Sequence, residues 1–273
     1  MKYFIAVLIF LSLTINAQAA IHTENVEYKH GDDVMEGYLA YDDAVTGTRP
    51  GVLIVHQWMG LTPYEKKRAE QLAELGYIAF AIDMYGKGIR PANREEAAAQ
   101  AGKIGGDYLL QRSRAQAGLD VLKKHELTDT SRVAAIGYCF GGKTVLELAR
   151  SGADIAGVVS FHGTLNTSAP AQPGAIKAKV LVLHGHDDPH VTPDGVLAFQ
   201  KEMTDAGADW YMTIYGGAVH SFTQKEAGDD PSTGSAYNKK ADKRSWKAMK
   251  SFFKEIFRGK RAKAKEKSSG REK

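Results

Sequence analysis

The first candidate for a reactive residue is Cys139, the only cysteine of the chain. It lies in the run Gly137-Tyr138-Cys139-Phe140-Gly141-Gly142. This run fits the G-x-nucleophile-x-G pattern of a nucleophile elbow, with cysteine where serine is commoner. Glycines beside the nucleophile let a strand and a helix pass each other around a strained turn. A lone cysteine is otherwise often a small buried hydrophobe. The flanking glycines therefore favour the interpretation of Cys139 as a nucleophile.

A thiol nucleophile needs a base, and the base needs a third group that orients it. Two later loops supply candidates for these roles. Asp187 and Asp188 follow one apolar run, and His220 follows the last one in a Gly-rich loop. The order nucleophile, acid, histidine is the one that α/β-hydrolases use. The spacing from Gly185 favours Asp188 as the acid and leaves Asp187 as the fallback.

Other histidines in predicted loops compete with His220, namely His56, His162, His184, His186 and His190. Three of them, His184, His186 and His190, lie close to Asp187 and Asp188 and leave a metal site open as an alternative. Three histidines within seven residues of one loop match no complete ligand spacing, however. We therefore expect neither a metal nor a cofactor.

The elements that must position these residues alternate between strands and helices along the chain. The predicted strands are a hairpin within 25–41 and the runs 52–55, 77–82, 133–136, 155–161, 180–183 and 210–215. The predicted helices are 63–75, 94–106, 108–125, one directly after the elbow, 193–206 and 235–257. Glycines at positions 102, 105 and 106 are expected to interrupt the second helix and to make it a mobile excursion over the sheet.

This alternation predicts an α/β fold with a mostly parallel sheet and helices on both faces, and the order of the candidate residues along the chain makes it α/β-hydrolase-like. Ligands of such sheets bind at the carboxyl ends of the strands. The candidate residues all follow predicted strands, so we expect them to meet at one edge of the sheet.

The chain has 273 residues, 43% of them hydrophobic, which suffices for one α/β domain. Its first residues combine Lys2, an apolar run over 3–13 and the small residues Ala17-Gln18-Ala19. This pattern is typical of a secretory signal peptide over 1–19 rather than of a retained membrane anchor. We expect a periplasmic protein whose single domain covers 20–258.

The net charge of +4 does not indicate a nucleic-acid partner, because the positive charge is concentrated at the carboxyl end. Residues 259–273 contain seven Lys or Arg and two Glu. A short basic run beside a mildly acidic body is typical of a solvated, disordered tail. No nucleic acid and no stable membrane anchor are therefore expected as partners, and the oligomeric state is left open.

With these motifs, the chain over roughly residues 25–257 resembles the dienelactone hydrolase family of α/β-hydrolases. The resemblance lies in residues 137–142, in Gly185-x-x-Asp188 and in His220-Ser221-Phe222. It implies that Cys139 attacks an ester or lactone carbonyl, that His220 moves the proton and that Asp188 holds His220. The amide after the nucleophile, that of Phe140, is one expected oxyanion donor, and the resemblance places the second at Trp58.

The chain departs from the family pattern at the positions expected to contact substrate. Gln57 replaces a glutamate that interacts with the resting cysteine, and Lys87 and Gln224 replace two arginines that bind a carboxylate. Glutamine cannot take up a proton or make bidentate guanidinium contacts. We therefore expect a small ester or lactone other than dienelactone as substrate, with Gln57, Lys87 and Tyr138 as substrate-binding residues.

The resulting prediction is an exported Cys-His-Asp hydrolase of small esters or lactones that forms a covalent thioester. Two alternatives stay open on the sequence. The same triad serves other acyl transfers, such as thioester or peptide cleavage. The other is a non-catalytic binding or redox-responsive protein on the same fold that uses Cys139 as an oxidisable thiol.

Overall fold

A computed structural model describes the backbone of residues 20–269 and the side chains of residues 20–258. The strands are β1 (Ile21–His30), β2 (Asp33–Asp42), β3 (Arg49–Val55), β4 (Ile78–Ile82), β5 (Thr128–Tyr138), β6 (Gly157–Phe161), β7 (Lys179–Gly185) and β8 (Trp210–Tyr215). The helices are α1 (Pro63–Ala73), α2 (Arg94–Gly105), α3 (Tyr108–Lys124), α4 (Phe140–Arg150), α5 (Pro193–Asp205) and α6 (Lys239–Ser269). The predicted signal peptide, 1–19, lies outside the described residues.

The strands form one eight-stranded sheet in the order β1-β2-β4-β3-β5-β6-β7-β8. The predicted hairpin is β1 and β2, which pair antiparallel at one edge, and β2 is also antiparallel to β4. All other neighbouring strands pair in parallel. The mostly parallel α/β sheet predicted from the sequence is confirmed. The carboxyl ends of β5, β6, β7 and β8 consequently lie side by side at one edge of the sheet.

The core is divided by the sheet into two apolar layers. Along β3, Leu53 and Val55 join the layer that also contains residues of α3, α4 and α5, whereas Val52 and Ile54 join the layer with α1 and α6. Successive side chains of a strand point to opposite faces. A nearly continuous apolar run is therefore what a strand covered by helices on both faces requires.

Helix α2 is continuous over Arg94–Gly105, so the expectation that its glycines interrupt it is wrong. The Asn93 side chain caps its first turn, accepting from the Glu96 amide at 2.9 Å. Glycine inside a helix costs only about 1 kcal/mol relative to alanine, and the alanine-rich sequence favours the helix throughout. The end of the helix lies against the Phe140 ring, at a distance that would also leave room for a Cβ at Gly105, 3.5 Å from the ring.

Helix α6 begins at Lys239 and runs to Ser269, beyond the predicted end at residue 257. Its backbone thus extends into the segment predicted to be a disordered basic tail. The reason is local, because the segment is rich in Lys, Ala, Arg and Glu, which are all strong helix formers. Within residues 20–269, no helix combines the length and apolar composition needed to cross a bilayer.

Candidate active site

Cys139 lies on a sharp turn between β5 and α4 and has a positive φ of 53°. A Cβ on Gly137 would lie 2.0 Å from the carbonyl oxygen of Gly141, and one on Gly141 would lie 2.1 Å from that of Val55. Contacts this close exclude any side chain at either position, which is the steric reason for the glycines of the elbow. The sulfur is partly exposed and borders a cleft. Cys139 is therefore not the buried hydrophobe of the alternative interpretation.

The three predicted triad residues are brought together in one chain of contacts. The Nε2 of His220 lies 3.0 Å from the sulfur of Cys139, and its Nδ1 lies 2.8 Å from Oδ2 of Asp188. Burial lowers the pKa of His220, but the charge of Cys139 and the hydrogen bonds to Asp188 and Cys139 raise it to about 10. A positive charge on this ring, which faces the sulfur, stabilises a thiolate.

Of the two candidate acids, only Asp188 reaches His220. Its other oxygen, Oδ1, accepts the backbone amide of His190 at 2.9 Å, and the residue is buried. Burial raises the pKa of Asp188, but the hydrogen bond and charge of His220 outweigh it and bring the pKa below its ordinary value. Asp187 is exposed and lies 4.0 Å from His186. The structure thus places Asp188, and not Asp187, where the predicted acid is needed.

The loop that carries Trp58, between β3 and α1, is held by three hydrogen bonds. The carboxylate of Glu65 accepts the amide of Gln57 at 3.3 Å and that of Thr62 at 2.9 Å. The carbonyl of Trp58 accepts the hydroxyl of Tyr85 at 2.8 Å. Sequence reasoning missed Glu65, although Thr62 with a glutamate three residues later is the capping-box pattern that signals it.

The buried carboxyl of Glu65 leads to a testable prediction about stability. Burial raises its pKa to about 7, although the hydrogen bonds from Thr62 and Gln57 act to lower it. A carboxyl with a raised folded-state pKa binds more protons when folded, so its contribution to the unfolding free energy falls as pH rises towards that value. Glu65→Gln removes this titration. We expect the free energy of unfolding of the wild type, minus that of Glu65→Gln, to decrease by about 3 kcal/mol between about pH 4.5 and pH 8.

Urea unfolding of both proteins across this pH range measures the difference. Glu74→Gln, an exposed position at the end of the same helix, is the matched control and should show no such trend. A difference between wild type and Glu65→Gln that does not change with pH would contradict the raised pKa.

His162, which sequence reasoning treated only as a competitor of His220, lies directly behind the nucleophile. Its Nδ1 accepts the backbone amide of Cys139 at 3.2 Å, and its Nε2–H donates to the hydroxyl of Thr223 at 2.8 Å. Burial and the charge of His220 hold the pKa of His162 well below its ordinary value, so the ring is neutral. Its position after β6, beside the elbow strand, is the signal that could have identified it.

Backbone strain is concentrated at this edge of the sheet. Among the described residues, the non-glycine positions with positive φ are Cys139, His162 at 40° and Ser221 at 57°. Such conformations persist only where the surrounding structure holds them, and they cluster at functional sites. The three residues border the same contact chain, which supports a functional role for this edge.

The cleft beside Cys139 has a volume of about 780 Å³. Trp58 and Phe140, the two predicted oxyanion donors, line it together with Cys139 and His220. Arg94 and Lys143 also line the cleft, and neither was predicted from the sequence as a residue of the site. Lys143 donates to the carbonyl of Gly105 at 2.9 Å and thereby joins α4 to the end of α2. Helix α2 is thus one wall of the cleft.

The three predicted substrate-binding side chains do not line the cleft. Lys87 is directed to the hairpin, where it pairs with Glu27. Tyr138 is fully buried on the other face of the sheet, 4.7 Å from the Phe161 ring, because side chains alternate along β5. The Gln57 side chain accepts the amide of Met59 at 2.8 Å and stabilises the loop itself. Those three assignments are therefore corrected.

Similarity to known proteins extends over the part of the chain that carries these residues. A model of the dienelactone hydrolase family matches residues 35–257. The solved structure of a dienelactone hydrolase-like promiscuous phosphotriesterase from metagenomic libraries is 39% identical, with a TM-score of 0.81, and the match covers 87% of this chain and 99% of that one.

Two further relatives are similar to this chain at lower sequence identity. A protein named as a probable 2-oxo-3-(5-oxofuran-2-ylidene)propanoate lactonase, from Bradyrhizobium sp., is 28% identical over 68% of this chain and 79% of its own. Protein usf of Aquifex pyrophilus is 27% identical over 84% of this chain and 97% of its own. Where these names give an activity, it is the hydrolysis of a lactone or of a phosphotriester.

Proposed function

The chain belongs to the dienelactone hydrolase family and is a hydrolase of small ester or lactone substrates, and from this premise we propose that Cys139, His220 and Asp188 are its catalytic triad. The observation that carries the proposal is the continuous contact chain from sulfur to Nε2 and from Nδ1 to Oδ2, at 3.0 Å and 2.8 Å. A nucleophile, a base and an orienting carboxylate in this geometry are what acyl transfer requires.

In the first half of the proposed reaction, the thiolate of Cys139 attacks the carbonyl carbon of the substrate. The electron pair of the C=O bond moves onto oxygen, where the amides of Trp58 and Phe140 stabilise the charge. As the tetrahedral intermediate collapses, the bond to the leaving oxygen breaks and His220 gives that oxygen its Nε2 proton. The product alcohol departs, or stays attached as the open chain of a lactone, and the acyl group remains as a thioester of Cys139.

In the second half, neutral His220 takes a proton from a water molecule that attacks the thioester. The C–S bond breaks, the acid product leaves, and the thiolate and imidazolium are restored. Asp188 keeps the Nδ1–H tautomer throughout, so that Nε2 always faces the reacting atoms. The atoms of one water molecule are added across one ester bond in each cycle.

The thioester is the step that tests this proposal. Mixing the enzyme with an excess of a p-nitrophenyl ester should give a burst of nitrophenol of about one equivalent. Intact-mass spectrometry of the quenched protein should show the mass of one added acyl group, removable by hydroxylamine. An acyl adduct on a residue other than Cys139, or turnover by Cys139→Ala, would contradict the mechanism. Labelling of Cys139 without turnover would instead favour the redox-responsive alternative.

We propose also that the protein is exported and acts in the periplasm, as the composition of residues 1–19 favours. The mature chain would then begin at Ala20, immediately before β1. Expression of the full chain with separation of the periplasmic fraction, followed by mass measurement of the protein, tests both the location and the cleavage site.

The proposed mechanism also predicts how a substitution at Gln57 changes the reactivity of Cys139. Gln57→Glu adds a carboxylate to the loop that lines the cleft, and a negative charge there disfavours the thiolate. Alkylation of Cys139 by iodoacetamide at pH 7 is expected to slow by roughly three- to tenfold, and turnover of uncharged esters should fall with it. Gln200→Glu adds the same charge on α5 and is the control. Equal alkylation rates in all three proteins would show that the position has no influence on the nucleophile.

Phosphotriester hydrolysis is a second candidate activity, because the relative that is 39% identical over 87% of the chain is described as a promiscuous phosphotriesterase. A thiolate can attack phosphorus as well as carbon. Assays with a diethyl aryl phosphate, beside a carboxylic ester with the same aryl leaving group, compare the two activities directly.

A further inference from the structure

We propose that the outer face of helix α6 is a docking surface for a bilayer of anionic phospholipids, to which the protein binds reversibly by charge. This surface takes no part in the proposed hydrolysis. It is defined by the cationic side chains of the helix within the described residues, namely Lys239, Lys240, Lys243, Arg244, Lys247, Lys250, Lys254 and Arg258. All of them are exposed except Lys250, which is partly exposed.

The cations of the outer face share one side of α6. At about 100° of rotation per residue, they fall within an arc of about 140°. At about 1.5 Å of rise per residue, the outer face is about 30 Å long. The opposite side of the helix packs on the sheet, and it carries the buried residues Ala241, Ser245, Met249, Phe252 and Ile256. One side of α6 thus belongs to the core, and the other presents a continuous row of positive charge to solvent.

The acidic side chains of the helix do not neutralise this face. Among the described side chains of α6 they are Asp242 and Glu255. Asp242 accepts a hydrogen bond from Arg68 of α1 at 2.8 Å, and Glu255 accepts one from Lys179 of β7 at 2.8 Å. Both carboxylates are therefore paired with cations of other elements. No cation of the outer face forms an ion pair with a carboxylate of the described side chains.

The domain that carries α6 is otherwise acidic. Residues 20–238 contain 28 Asp or Glu and 20 Lys or Arg, whereas residues 239–258 contain two Asp or Glu and eight Lys or Arg. A negatively charged surface therefore attracts α6 and repels the remainder of the domain. Such a separation of charge orients an approaching protein before contact is made, so that α6 turns towards the surface. Residues 259–273 add seven Lys or Arg and two Glu to the same end of the chain.

Phospholipid head groups fit this surface better than a nucleic acid does. Nucleic-acid sites add arginines that make bidentate contacts or aromatic rings that stack on bases. Six of the eight cations are lysines, and none of the exposed large apolar or aromatic side chains of residues 20–258 lies on α6. Each lysine close to an anionic bilayer increases the affinity about fivefold. A row of lysines therefore suffices for binding without an inserted apolar group.

Binding through α6 leaves the cleft beside Cys139 open. None of the described side chains of α6 lines the cleft. The helix packs against β5, β6 and β7, whereas Cys139 and His220 lie at the carboxyl edge of the sheet. A protein held at a bilayer by the outer face can therefore still take up substrate. Because the attachment depends on charge, salt should release it by shortening the range of the attraction.

Sedimentation with lipid vesicles measures the interaction. Vesicles of phosphatidylcholine with about 30% phosphatidylglycerol are anionic, and vesicles of phosphatidylcholine alone are not. In about 50 mM salt, we expect the partition coefficient of the wild type to be at least about tenfold higher on the anionic vesicles, and about 0.5 M salt should remove the difference. Residues 1–19 are present in every protein compared, so their apolar run contributes equally to each measurement.

The first variant removes positive charge from the centre of the outer face. It combines Lys243→Gln, Lys247→Gln and Lys254→Gln, all at exposed positions. The loss of three lysines should lower the partition coefficient on anionic vesicles about 100-fold. Glutamine keeps the helix propensity of lysine, so α6 should stay intact.

The matched control removes the same charge elsewhere. It combines Lys29→Gln, Lys103→Gln and Lys124→Gln, at exposed positions on β1, α2 and α3. Charges that lie farther from the bilayer than a Debye length are screened, so this variant should lose less than about threefold.

Equal binding of the wild type to the two kinds of vesicle would overturn the proposal, and so would equal losses in the two triple variants. Binding to a mixed-sequence DNA duplex without binding to anionic vesicles would assign the outer face to nucleic acid instead. If thermal unfolding shows that a triple variant does not fold, the comparison of vesicles with the wild type alone decides the question. None of these measurements depends on turnover, so the docking surface and the proposed hydrolysis can fail separately.

Discussion

Replacement of Cys139 by alanine, or of His220 by alanine, is expected to lower ester turnover by about 10⁴-fold or more. The two residues lie 3.0 Å apart and act on the same proton transfers in the proposed reaction, so removal of either leaves the other without its partner. The double variant should therefore be little worse than each single variant, since residues that act as one unit have non-additive effects. Initial rates of all three variants on one p-nitrophenyl ester measure this.

The fold should survive these substitutions, because Cys139 is partly exposed at the cleft and does not fill the core. Thermal unfolding of each variant is the control that separates lost chemistry from lost structure. A Cys139→Ala protein with near wild-type turnover would refute the assignment of the nucleophile. A double variant that loses the product of the two single effects would refute the claim that the pair acts as a unit.

Asp188→Asn is expected to lower turnover by roughly 10²- to 10⁴-fold. Asparagine can donate its amide hydrogen to Nδ1, which places the ring proton on Nε2 and leaves no basic nitrogen beside Cys139. Without the carboxylate, the pKa of His220 also loses one of the contributions that raise it. The effect should thus appear mainly in the turnover number, as the substrate cleft is unchanged.

Asp187→Asn is the matched control for this experiment, because it makes the same chemical change one residue earlier, on an exposed side chain. We expect its turnover to stay within about twofold of wild type, as substitutions of exposed polar side chains have small effects. If Asp187→Asn is the more damaging change, the acid role belongs to Asp187.

Much of the fold could be predicted because its signals are local. The apolar runs that became β3 and β4 are buried on both faces, and their composition shows this without any knowledge of the partners. Helix α2 shows the limit of such signals, since its glycines suggested an interruption. The helix is instead continuous through Gly102, and its end lies against the Phe140 ring, a contact between residues far apart in the chain.

The candidate triad was also identified from the sequence, because each of its members follows a strand and chain order alone separates nucleophile, acid and base. The choice between Asp187 and Asp188 rested on spacing, and contact with His220 supports it. The substrate-binding assignments failed for a physical reason. Whether a side chain reaches the cleft depends on which face of the strand or loop it leaves, and Tyr138 leaves the opposite one.

The sequence by itself determined which residues can react and the type of sheet that carries them, since residue chemistry and hydrophobic period are properties of short segments. Only the tertiary structure decided what those residues contact. His162 lies behind Cys139, and His190 lies beside His220, at distances of a few ångströms. Folding alone sets such distances, because they join loops that are separated by tens of residues along the chain.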